Sequence, residues 1–194
     1  MAGRDSILTP ELVKVLKIFI FSALALVLVL SFFNEYRADN TGEDRSFKVA
    51  DSDRIYFQNV RAINYEREIR RDAGMTLFRH RNRLETDTRP TLDLVILLNP
   101  SKDEAYVYFE LANADWPVRI QTSLSGNQEI FDFANGNNHA HLELFKKLLP
   151  AIKGDAEFKL IVGEKSFPLW AGEEEKEALK TIAEDYLRLL AKTN

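Results

Sequence analysis

The chain has 194 residues, 45% of them hydrophobic and 29% charged, with a formal net charge of −4. That is the composition of one globular domain of ordinary size, with little room for a second. The mild acidity argues against a nucleic-acid binder, and the absence of cysteine excludes a disulfide framework, a thiolate metal site and a catalytic thiol.

Residues 1–11 form a short polar lead in which Thr9-Pro10-Glu11 reads as a helix start, with Thr9 as N-cap and Pro10 at the first helical position. Residues 12–33 follow, apolar apart from Lys14, Lys17, Ser22 and Ser31. About 20 apolar residues in a helix match a hydrocarbon core about 30 Å thick, so the stretch is expected to be a single transmembrane helix. It lacks the small-residue cleavage site of a signal peptide, which points to an uncleaved signal anchor. Lys14 and Lys17 at the start of the span, against Arg37 alone close to its end, are expected to place the N-terminus in the cytoplasm of a cell membrane and the C-terminal domain outside, in a periplasmic or extracytoplasmic space. Ser22, Ala23 and Ala25 are the small residues that would let a second helix pack against the span.

Residues 34–45, NEYRADNTGEDR, read as a polar linker, and 46–194 as one soluble α+β domain. Within it, 54–60 is predicted as a strand from its aromatic and β-branched content, and 65–73 as a short helix ended by Gly74. Three runs of strand length, 75–84, 91–98 and 105–112, are joined by turn-rich connections too short for a parallel crossover, so an antiparallel meander is expected. Further strands are expected at 118–124 and 129–133, around Ser125-Gly126-Asn127, and at 157–162, with an edge strand or loop at 166–170. Two amphipathic helices, 138–149 and 173–192, are expected on one face of a mainly antiparallel sheet of five to seven strands.

Chemistry-bearing patterns are sparse. His139 and His141 are two apart at a helix start, where they do not share a face, so they make a poor metal pair, and no third ligand is evident. His80 reads as a sheet residue. The sequence holds no nucleophile elbow, glycine-rich phosphate loop or calcium loop, and no cofactor or catalytic residue is assigned. The loop tryptophans Trp116 and Trp170 read as packing residues or interface anchors.

Arginine usage is the anomaly. Residues 54–89 carry nine arginines, no lysine and five acids, a local charge of +4, whereas 101–194 carries 11 basic and 16 acidic residues, −5. Alternation over 78–83 predicts that Arg79, Arg81 and Arg83 project from one strand face, with Arg70 and Arg71 nearby. Such a face suits the domain's own acids, an acidic partner protein or anionic lipid headgroups.

The expected function is a non-catalytic, single-pass, membrane-anchored accessory or scaffold subunit that docks its domain on partner proteins of a membrane complex. The alternative is a membrane-tethered ligand-binding sensor, or a hydrolytic enzyme with its site near His139, His141 and Asp132.

Overall fold

The computed structural model describes residues 10–32 and 46–190, with side chains for 10–26 and 46–190. The chain is α+β. Among the described residues it has four helices and two four-stranded antiparallel sheets, and it divides into two units, 1–39 and 40–194.

The first unit contains one helix, α1 (Pro10–Phe32). Here the sequence expectation is corrected: no helix among the described residues is long and apolar enough to cross a membrane. The helix opens at Pro10, so Glu11, Lys14 and Lys17 occupy its first turns. The remaining side chains of the expected span and the expected linker over 34–45 lie outside what is described.

The second unit opens with α2 (Asp51–Tyr56), which runs on as a π-helical segment, Phe57–Arg61, and a 3-10 turn, Ala62–Asn64. The predicted strand over 54–60 is therefore helical. Phe57 packs edge-on against Phe78 at 5.0 Å and tilted against Tyr65 at 5.4 Å, so tertiary packing of one aromatic outweighs the β-propensity of its neighbours.

Sheet A is a meander in the order β1-β2-β3-β4: β1 (Tyr65–Arg70), β2 (Met75–His80), β3 (Thr91–Asn99) and β4 (Glu104–Ala112). The helix expected at 65–73 is instead β1, because a row of cross-strand partners from Tyr65↔His80 to Arg70↔Met75 binds it to β2. One face of the sheet carries Phe78, Leu92, Leu94, Ile96, Leu98, Ala105, Val107 and Phe109, all buried. Burying a large side chain of this kind contributes about 1.5–3 kcal/mol. The four helix-facing leucine and isoleucine positions of β3 fall at period two, as the pleat requires.

Sheet B has the order β6-β5-β7-β8, from the hairpin β5 (Val118–Leu124) and β6 (Asn127–Phe133) and the hairpin β7 (Glu157–Val162) and β8 (Lys165–Leu169). The turn Ser125-Gly126 has φ of 51° and 86°, the double left-handed pair of a type I′ hairpin. Between the hairpins lies α3 (Asn138–Lys153), capped by Asn137, whose side chain accepts from the Ala140 N–H at 3.1 Å. Pro150 sits inside α3 without ending it.

The final helix, α4 (Glu173–Leu190), packs on β3 and β4 and against α3, while α3 packs along β4 and reaches β5. Both sheets and these two helices share one core. To it α3 contributes Leu142, Leu144, Phe145 and Leu148, and α4 contributes Leu179, Ile182 and Tyr186. The rings of Phe145 and Tyr186 meet edge-on at 5.4 Å where the two helices touch.

Candidate functional site

The outer face of sheet A holds the arginine group. Arg79 is the one member of the Arg79, Arg81, Arg83 set that lies on a strand, because β2 ends at His80; the expected alternation of all three on one strand face is corrected accordingly. Its guanidinium grips Glu110 through two bonds of 2.6 and 2.7 Å and donates to Glu68 at 2.6 Å. Glu110 lies two strands away, so Arg79 reaches across β3 beside its own partner Val95, which is 2% exposed. The bidentate grip holds the Glu110 carboxyl below the usual carboxylate range.

Arg83 donates to the His80 carbonyl at 3.2 Å and to Glu66 at 2.7 Å, and also pairs with Glu85. Arg81 donates from Nε to the Ile63 carbonyl at 3.1 Å. Arg70 pairs with Asp72 at 3.2 Å and with Glu68 at 3.8 Å, while Arg71 is exposed in the turn after β1. Arg70, Arg79 and Arg83 are thus paired with acids of sheet A and its turns, whereas Arg81 meets a backbone carbonyl. Asp93, facing Glu110 across the β3–β4 ladder, is pushed up to about 6, first by burial and further by the charges of Glu110 and Glu175.

A second group of polar residues is buried. Asp185 of α4 is 4% exposed and accepts from Arg61 Nε and from the Tyr65 hydroxyl, each at 2.7 Å. Arg61 ends the π-helical segment and Tyr65 begins β1, so one carboxylate fastens α2's extension and the sheet to the last helix. Burial raises the Tyr65 hydroxyl above its ordinary value, and its bond to Asp185 raises it further. His80 stacks edge-on against Tyr65 at 5.3 Å and is pushed down by burial. With Tyr65 at 1% and His80 at 8% exposure, the group fits a structural fastening better than a site open to substrate.

Sequence pattern alone does not single out this group, although a signal is there. Ile182, Asp185, Tyr186 and Leu189 follow the i, i+3, i+4, i+7 stripe of α4, and an acid on a buried stripe requires a partner.

His141 is fully buried. Its Nδ1 accepts from the Phe109 N–H at 3.0 Å, which assigns the proton to Nε2, and Nε2 donates to Asn135 Oδ1 at 3.0 Å. The imidazole satisfies a backbone donor on the outer edge of β4, lies 4.1 Å from the Tyr108 ring, and is pushed down to about 4 by burial. His139 instead stacks on Phe47 at 4.9 Å. The two histidines do not converge, and no group of three or more metal-ligating side chains occurs among the described residues. Trp170 is buried against Phe158 at 5.0 Å and Trp116 packs on Phe133 at 5.3 Å.

An open groove of about 320 Å³ is lined by Asn82, Arg83, Leu84, Gly172 and Glu173 to Glu175. On α1, Leu12, Val15, Leu16, Ile18, Phe19, Ile20, Phe21, Leu24 and Leu26 are exposed. Ser22 turns its hydroxyl onto its own helix, donating to the Ile18 and Phe19 carbonyls at 2.9 and 3.0 Å; Ala23 and Ala25 lie on the same apolar segment.

Comparison with known protein families, characterised proteins and solved structures returned no match.

Proposed function

We propose that the protein is a non-catalytic accessory or scaffold subunit that docks on partner proteins of a membrane-associated complex. The observation that carries this reading is α1. From Ile18 to Leu26 every side chain except Ser22 is apolar, around the whole circumference of the helix. A helix that is apolar on all sides has no face suited to water and needs cover from other apolar groups. A protein partner supplies that cover without requiring the helix to cross a bilayer.

The folded domain supports the same reading through what its polar groups do. Arg79, Arg83 and Asp185 are engaged in ion pairs that hold strands and helices together. The test is fractionation of the full chain from its native source in mild detergent. The expected result is a complex with other proteins that is lost with the double substitution Phe19→Glu and Phe21→Glu. Recovery of the unsubstituted chain without other proteins would overturn the proposal.

A further inference from the structure

The chain contains a single Asn-Gly dipeptide, Asn135-Gly136, in the connection between β6 and α3. A main-chain nitrogen reaches the side-chain amide of the residue before it most readily when it belongs to glycine, which puts no Cβ beside the attacking atom. Packing enforces that choice here, because a Cβ on Gly136 would lie 2.6 Å from the Cβ of Ala140. Asn135 is exposed and has φ of 69°, in the left-handed region where asparagine is enriched. The residues on both sides of Gly136 are held: Asn137 caps α3 through the Ala140 N–H, and the Asn135 side chain meets His141.

The contact with His141 sets the chemistry. The Phe109 N–H can only donate, so Nδ1 of His141 is the bare ring nitrogen and Nε2 carries the proton; the Asn135 atom that faces Nε2 at 3.0 Å is therefore the amide oxygen. A donor aimed at a carbonyl oxygen stabilises the negative charge that gathers there when the carbon is attacked. His141 is fully buried, so this donor is oriented before any reaction begins.

We infer that Asn135-Gly136 is a self-modification site, at which the fold promotes deamidation of Asn135. The Gly136 nitrogen attacks Cγ of Asn135 while the His141 Nε2–H holds the oxygen. A new N–Cγ bond forms, the Gly136 N–H proton passes through water to Nδ2, and the Cγ–Nδ2 bond breaks to release ammonia. Water then opens the resulting succinimide at either carbonyl, leaving aspartate or isoaspartate at position 135. No oxidation or reduction occurs, and water is the only co-reactant. The aspartate carboxylate takes the place of the amide oxygen and accepts the same bond from His141, whereas isoaspartate adds a methylene to the main chain just ahead of α3. This site does not depend on what covers α1.

The experiment compares the full chain in mild detergent with a free peptide of residues 131–141, both incubated at neutral pH. Conversion at position 135 is followed by mass spectrometry of proteolytic fragments, with isoaspartate separated from aspartate by chromatography. His141 is present in both samples, but only the fold holds its Nε2–H on Asn135. The expected result is conversion in the folded chain about tenfold faster than in the peptide. Conversion no faster than in the peptide would overturn the inference.

Discussion

Replacing Asp185 by alanine tests the fastening between the last helix and the start of the sheet. The substitution removes two hydrogen bonds of 2.7 Å and leaves Arg61 and the Tyr65 hydroxyl without their acceptor. Breaking a buried ion pair from one side costs about 3–5 kcal/mol. The Arg61 side chain is 31% exposed, so water recovers part of its share, whereas Tyr65 at 1% exposure keeps a stranded hydroxyl. The expected loss is therefore near the lower bound, about 3 kcal/mol. With a urea slope of about 2 kcal/mol/M, the midpoint falls by about 1.5 M. Urea unfolding followed by the fluorescence of the two tryptophans measures it. Tyr65→Phe removes one bond and leaves the ion pair, so it should cost about 1 kcal/mol. A loss below about 1 kcal/mol for Asp185→Ala, or a larger loss for Tyr65→Phe, would refute the fastening role.

Three further predictions concern pH and the arginine lattice. His141 has a folded pKa of about 4 against about 6.5 unfolded, so the unfolded chain binds more protons between those values; its contribution is fully present above about pH 6.5 and declines by about 3 kcal/mol as pH falls toward 4. Asp93 acts oppositely: its folded pKa of about 6 lies above its ordinary value, so its contribution grows as pH falls through 6. Asp93→Asn should thus make the acid loss of stability between pH 6.5 and 4 steeper by about 2–3 kcal/mol, read by urea unfolding across pH, and an unchanged slope would contradict the assignment. Arg79→Ala should cost about 1 kcal/mol and reduce the sensitivity of stability to added salt, because its partners Glu68 and Glu110 are half-exposed.

Much of the folded domain was legible from period and turn chemistry. The leucine-rich run of β3, the Ser125-Gly126 turn and the apolar stripe of α4 each state their structure locally. What was not legible depends on distant partners. Residues 54–60 read as a strand until Phe57 meets Phe78 and Tyr65, and 65–73 reads as a short helix until β2 supplies the ladder for 65–70. The division of the chain into two sheets, rather than one of five to seven strands, follows from pairings that no local pattern encodes. The arginines were visible as a charge anomaly, but their carboxylate partners on β1 and β4 emerge only once the strands are aligned.

Cover of α1 by a protein partner is the central claim, and a photo-crosslinking residue placed at Phe19 or at Phe21 in the full chain in its native host tests it most directly. Glu174 serves as an exposed control on the folded domain. Discrete protein adducts of the same mass are predicted from both α1 positions and none from position 174. Absence of protein adducts at positions 19 and 21 would contradict the claim.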